Sequence, residues 1–191
     1  MTGVQTCALP ISHLSDILKG AVKVSGQARD IRILPGIAQR NVAAPDVMRG
    51  EETQLLGALG LDAPGEALVC MPGTHSKWVR LRGGTVERFA TLMTGELFSA
   101  VVRDTILSHA VADADEAVDA DAFCSAVAEA FASPALSANL LFRVRSRQLL
   151  FGGSAQAARE TISGTLIGAE LAAGLAERAR ATPVTLIASG R

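Results

Sequence analysis

Cysteine is scarce in this sequence. Cys7, Cys70 and Cys124 are odd in number and scattered over 191 residues, which argues against a disulfide framework and points to a reducing, cytoplasmic setting. No apolar run approaches the roughly 18 residues that a membrane span requires. There is no surplus of either charge: 18 basic and 19 acidic residues leave a net charge of −1, without the basic footprint of a nucleic-acid binder. The opening MTGVQTCALPIS has no basic segment ahead of its short apolar patch and makes a poor secretory signal. Internal repeats are absent, as is low complexity beyond an alanine bias. What is present is a chain 49% apolar, enough for a sizeable core in one large domain or one and a half small ones.

Both ends are expected to be unusual. GVQTCALPI is similar to translated sequencing-adapter sequence, so residues 1–12 are read as a non-native leader. PVTLIASGR reads as a strand entering a Gly turn where the sequence stops, so the chain is read as a piece cut at both ends.

Between them, residues 13–28 read as a helical or irregular connector. DIRILPGIA (30–38) reads as a short strand ending at Pro35-Gly36. QRNVAAPDVMRGEE reads as a polar loop. A helix follows, with Glu51 and Glu52 in the first turn, where the helix dipole favours acids, and Gly60 as its stop. DAPGEA (62–67) is the best linker candidate. ALVCM reads as a strand, and KWVRLRGGTVERFATLM as a hairpin turning at Gly83-Gly84. Thr94 is expected to cap a helix bearing Leu97, Phe98, Val101, Val102 and Ile106. The rest is mostly helical: one helix with Phe123, Val127 and Phe131 on a face, a break at Pro134, and another with Leu136, Leu140 and Val144 inward. Arg143, Arg145 and Arg147 read as a solvated face. A last helix has small residues at 164, 168 and 172, and the strand Val184–Ala188 follows. Cys70 and Cys124 are expected to be buried.

The chemistry concentrates after ALVCM, in Gly73, Thr74, His75, Ser76 and Lys77. One reading is a bare turn between strands. The other is an anion cradle: turn N–H groups, two hydroxyls and an ammonium are what a phosphate needs. His75 has no nearby Cys or Asp pattern that would make a triad or a metal site, and no metal-ligand set is expected. A hydrolase built on Cys70 and His75 is a weaker reading, because no orienting acid accompanies the pair.

Several segments together, LPGIAQRN, PDVMRGEETQLLGAL, PGTHSKWV, TLMTGELFSAVVRDTIL and SGTLIGAELA, resemble the 2-dehydro-3-deoxygalactonokinase family, from about residue 30 to the C-terminus. The resemblance implies an α/β chain with the actin-like, ribonuclease H-like sugar-kinase fold. On that frame residues 13–62 would be the end of a first lobe carrying a substrate loop, and residues 66–191 most of a second lobe. It implies ATP and Mg²⁺ as cofactors and phosphorylation of 2-dehydro-3-deoxy-D-galactonate in galactonate catabolism. The partners are then a small sugar acid and ATP, with neither nucleic acid nor membrane. Gly73–Lys77 would be the second of the superfamily's two phosphate-contacting turns, although Met71-Pro72 stand where an acidic residue is usual. The first such turn, Asp-x-Gly-Thr-Thr, does not occur here, and a chain without it is expected to be inactive alone.

The same resemblance gives candidates for the remaining roles. Arg49, with Arg40 as a second choice, would bind the substrate carboxylate. Asp46, Glu51 and Glu52 are three open choices for the general base; the plainer reading is that Asp46 caps a helix and the glutamates sit in its first turn. MTGELF is either a capped helix or a helix N-terminus facing phosphate or substrate. Gly164 and Gly168 fit helix packing better than an adenine shelf. Ser189-Gly190 would begin the adenosine-binding turn. A non-catalytic sensor of the same fold, binding sugar acid or nucleotide without turnover, is the alternative.

Overall fold

The computed structural model describes residues 9–60, 65–115, 117–176 and 183–188. Gly83 (φ 53°) and Gly84 (φ 72°) both lie in the left-handed region. Two such residues form the tight turn that matches the twist of paired strands. They join β7 (Ser76–Arg82) to β8 (Thr85–Leu92). β6 (Glu66–Met71) pairs antiparallel with β7, Val69 opposite Val79 and Met71 opposite Lys77. β9 (Val184–Leu186) returns parallel to β6, giving the order β8-β7-β6-β9. The strand–strand–strand–helix order expected over residues 67–110 is present.

A smaller sheet, ordered β1-β4-β5, is built from β1 (Leu9–Pro10), β4 (Ile37–Gln39) and β5 (Asp46–Met48). β2 (Val22–Lys23) and β3 (Arg32–Ile33) form a separate antiparallel ribbon. The short strand expected to end at Pro35-Gly36 is β3, and β4, beyond that turn, is a strand that was not expected. Pro35-Gly36 separates them, and Gly36 runs so close to the Met48 carbonyl that a Cβ would collide with it. The polar loop expected before the helix contains β5, hidden by its brevity and by the outward Val47. Residues 9–12, expected in a leader, are hydrogen-bonded into the fold. β1 pairs with β4, and the Ser12 carbonyl accepts from the Val86 N–H at 3.2 Å. Residues 1–8 lie outside the described residues.

α1 (Leu14–Lys19) and α2 (Glu51–Leu59) cover these strands. Leu14, Ile17, Ile37, Met48 and Leu55 join Val69, Val79, Leu81, Val86 and Phe89 in one core. Gly60 (φ 71°) ends α2 as expected, its N–H donating to the Leu56 carbonyl. All of this belongs to one compact unit, the described residues up to Thr91 together with 183–188; a second begins at Leu92. Of the linker expected at 62–67, residues 62–64 lie outside the described residues.

The second unit is helical: α3 (Thr94–Asp104), α4 (Ser108–Val111), α5 (Ala120–Ala132), a 3₁₀ turn at Pro134–Leu136, α6 (Ser137–Phe151) and α7 (Ala155–Leu175). Thr94 does not cap α3. The cap position falls one residue earlier, on Met93, whose side chain has no oxygen to offer. Asp119 and Ser154 are the side-chain caps, accepting from the Ala122 and Ala157 N–H groups. The inward face of α5 is also not the expected one. Ala126 and Ala130 are buried, while Phe131 is 46% exposed. The cause lies in α7: a Cβ on Gly164 would stand 2.5 Å from the Phe123 carbonyl oxygen and 2.9 Å from the Ala126 Cβ. A Cβ on Gly168 would strike the Val127 carbonyl. Helices this close admit only small residues at the seam. Leu140 and Val144 face inward as expected, but Leu136, in the 3₁₀ turn, is 54% exposed. Arg143 pairs with Glu129 at 2.6 Å, and Cys124 is exposed rather than buried.

Gly164→Ala and Gly168→Ala should each destabilise this unit by ~1–3 kcal/mol, because the overpacking cost exceeds the ~1 kcal/mol gained in helix propensity. Denaturant unfolding of each variant measures the net sign. Stabilisation would mean that the seam has room.

Candidate functional site

The turn between β6 and β7 is free of the usual reasons for glycine. Gly73 has no positive φ, and no atom lies within 4 Å of where its Cβ would be. Gly36 and Gly164 are glycines because the fold needs them, whereas Gly73 stands beside open space. That space is a cavity of about 240 Å³ lined by Glu51, Gln54, Met71, Pro72, Gly73, Thr74 and His75. Two distant stretches form it, the first turn of α2 and the turn after β6.

The five residues expected to bind phosphate are not equivalent. Gly73, Thr74 and His75 line the cavity. Ser76 is buried at 2% exposure and belongs to the strand. Lys77 is 4% exposed, and its Nζ lies 3.1 Å from Glu51 Oε1 and 3.3 Å from the His75 carbonyl oxygen. Strand register explains this: Lys77 is already paired with Met71, so its side chain rises from the sheet and not from the turn.

The three candidate bases have three different surroundings. Asp46 is spent on architecture. Its Oδ1 accepts from the Val47 N–H (2.7 Å) and the Thr91 hydroxyl (2.7 Å), and its Oδ2 from the Thr91 N–H (2.6 Å). It does not cap α2, whose cap position is Gly50 at φ 105°. The glutamates fold back instead. Glu51 Oε2 accepts from the Arg49 N–H at 3.0 Å, and Glu52 Oε2 from the Gly50 N–H at 2.6 Å. Glu52 is buried, and Glu51 lines the cavity.

Burial pushes the Glu52 carboxyl above its ordinary value of 4.5. The hydrogen bonds from its own N–H and that of Gly50, and the Arg49 charge, oppose the shift, while Glu51 adds to it. A raised carboxyl binds its proton more tightly when folded, so stability falls as pH rises from 4.5 through the folded value and then levels. Glu52→Gln keeps an acceptor for Gly50 and removes the titration. Its melting temperature should lack that decline, and should exceed wild type on the neutral side. Melting curves from pH 4 to 8 check this; parallel curves would refute it.

Arg40 and Arg49 are exposed and do not line the cavity. Ser189 and Gly190 lie outside the described residues. Gln54 lines the cavity without having been expected. Its only sequence signal is its place one helical turn after Glu51, on the same face. The described residues hold no cluster of three or more His, Cys, Asp or Glu side chains suited to a metal ion. No helix among them is long and apolar enough to cross a membrane.

The family model described as 2-keto-3-deoxy-galactonokinase matches residues 2–191. The chain belongs to that family. The resemblance read from DVMRGEETQ, PGTHSKW and MTGELF therefore holds, and 2-keto-3-deoxy-galactonokinase relatives extend it to almost the whole sequence. A Rhizobium meliloti (strain 1021) protein named as a probable 2-dehydro-3-deoxygalactonokinase is 56% identical over 178 residues, covering 93% of this chain and 58% of its own length. The Escherichia coli (strain K12) 2-dehydro-3-deoxygalactonokinase is 36% identical over 159 residues, 83% of this chain and 53% of that one. A crystal structure from Sinorhizobium meliloti, assigned to 2-dehydro-3-deoxygalactonokinase, superposes with a TM-score of 0.91 at 53% identity. The match covers 97% of this chain and 62% of that one. This member of the 2-keto-3-deoxy-galactonokinase family thus spans a little over half the length of the curated relatives it matches.

Proposed function

We propose that the protein carrying this sequence is an ATP-dependent kinase that phosphorylates the primary hydroxyl of 2-dehydro-3-deoxy-D-galactonate, giving the 6-phosphate in cytoplasmic galactonate catabolism. The carrying observation is Gly73, a glycine that the fold does not require, at the wall of a cavity. Phosphoryl transfer rests on positioning and charge neutralisation. The turn's backbone, Thr74 and His75 would hold the transferred phosphoryl group, with Lys77 close behind. Glu51 is the base candidate that reaches the cavity. Arg49 and Arg40 remain candidates for the substrate carboxylate, and Ser189-Gly190 for the adenosine end.

Mg²⁺ suits this site only as a companion of the nucleotide. It would be held chiefly by phosphates and water, with Glu51 as the one carboxylate at hand, and would supply charge neutralisation. Three antiparallel strands followed by helices and a strand returning parallel to the first support an actin-like lobe. The proposed lobe division is at residues 62–66.

The test is ADP release by the protein at its relatives' length, with 2-dehydro-3-deoxy-D-galactonate and its gluconate epimer as acceptors. Gly73→Ala should leave stability unchanged or raise it by about 0.4–1 kcal/mol, since the site is unstrained. It should also lower kcat/KM at least about 10-fold, because a methyl group would crowd the phosphate contact. Unchanged turnover would return the segment to a simple turn. Nucleotide binding without ADP release would favour the sensor.

A further inference from the structure

The cavity wall and the cation behind it carry opposite charges in an unexpected order. Glu51 is the acidic residue among those lining the cavity, and the Lys77 ammonium is held by its carboxylate and by the His75 carbonyl. A phosphate entering would find the nearest ammonium already paired with an anion. We propose that Glu51 is a displaceable counterion: an incoming phosphate takes the Lys77 ammonium from Glu51, and the freed carboxylate receives the acceptor hydroxyl's proton. The inference rests on the kinase reading of the same cavity.

Three observations carry it. Lys77 is 4% exposed and its Nζ lies 3.1 Å from Glu51 Oε1, so the ammonium is already seated and oriented beside the cavity before a phosphate enters. Glu51 holds Lys77 by one oxygen alone: Oε1 lies beside the ammonium, while Oε2 accepts from the Arg49 N–H and keeps that partner when Lys77 leaves. Its side chain is 24% exposed, so water can solvate the carboxylate at the cavity wall when Lys77 leaves it. Lys77 stands opposite Met71 on the ladder, and Met71 itself lines the cavity. The ammonium, on a flexible four-carbon stem, can therefore turn from Glu51 to the cavity while the His75 carbonyl still accepts from it. A phosphate bearing nearly two charges outcompetes a carboxylate bearing one for the same cation.

The exchange makes Glu51 a brake on phosphate affinity and a positive element in turnover, a split that a merely structural residue would not give. Calorimetric titration of the full chain with inorganic pyrophosphate should show Glu51→Gln binding on the order of 10-fold more tightly than wild type. In a Lys77→Met background, where affinity is weak, the gain from Glu51→Gln should be much smaller, because only the direct repulsion between carboxylate and phosphate is relieved. In the ADP-release assay at full relative length, Glu51→Gln should lower KM for ATP while kcat falls by about 10²–10⁴. Should Glu51→Gln fail to fold, Glu51→Asp keeps the charge but retracts it by one methylene, and should also tighten binding.

Pyrophosphate affinity that does not rise in the folded variant, or that rises equally without Lys77, overturns the exchange. A wild-type protein that releases no ADP while the affinity pattern stands overturns the kinase reading and the proton-accepting role, and supports the exchange itself.

Discussion

Lys77→Met should lower kcat/KM for phosphoryl transfer by about 10²–10³, the usual cost of removing one preorganised partner of developing charge. Methionine keeps most of the stem's volume, so the variant isolates the ammonium. The stability effect should be smaller in kind. Removing one partner of a fully buried pair costs ~3–5 kcal/mol, but Glu51 retains the Arg49 N–H and is 24% exposed. Water can solvate what Lys77 leaves, so a loss of about 1–3 kcal/mol is expected. Lys77→Arg should not rescue: a planar guanidinium cannot fit where a compact ammonium is 4% exposed. Denaturant unfolding and coupled ADP release, run on the same preparations, separate the two effects. Turnover within a factor of about three of wild type would remove Lys77 from the phosphate site.

How much of this was legible in the sequence follows from distance along the chain. Gly83-Gly84 announced its hairpin because a two-residue turn is local chemistry. Gly60 announced the end of α2 for the same reason. Gly73–Lys77 drew attention as a motif, but its division into a cavity-facing turn and a buried strand depends on register. Pairing Lys77 with Met71 turns its ammonium from the loop toward α2, and no property of the pentapeptide encodes that. The partnership of Glu51 with Lys77 joins segments on opposite sides of a linker candidate that seemed to separate lobes. The aromatic face expected on α5 is not the face packed at the seam, and the cause lies in the neighbouring helix. Phe123 and Val127 have the right period, but Gly164 and Gly168 bring α7 so close that only Ala126 and Ala130 fit between. Periodicity says that a helix has an apolar face; the partner's side-chain volumes decide which one is buried.

Asp46 shows the same limit and gives the other large expected effect. Beside Arg49 and Glu51 it reads as substrate chemistry. In the fold, its carboxylate ties β5 to β8 by accepting both the N–H and the hydroxyl of Thr91. Gln39 makes a parallel tie, its Oε1 accepting from the Phe89 N–H at 2.9 Å. Side chains of the small sheet thus satisfy donors along β8, where an unpaired strand edge would otherwise need water or another strand. Asp46→Ala removes one of the two ties and leaves Thr91 without its acceptors. Charged hydrogen bonds are worth about 1.5–3 kcal/mol each, but they are not additive, and half-buried Thr91 can reach water. The expected loss is about 3 kcal/mol, which lowers the melting temperature of the first unit by about 12–24 °C. Asp46→Asn keeps one carbonyl oxygen and should lose roughly half as much. The pair also decides the base. If Glu51 receives the proton, Asp46→Asn should retain turnover in proportion to its folded fraction. If Asp46→Asn folds normally, melts near wild type and yet releases no ADP, then Asp46 acts in the chemistry, and its contact with Thr91 orients a catalytic group instead of holding a sheet edge.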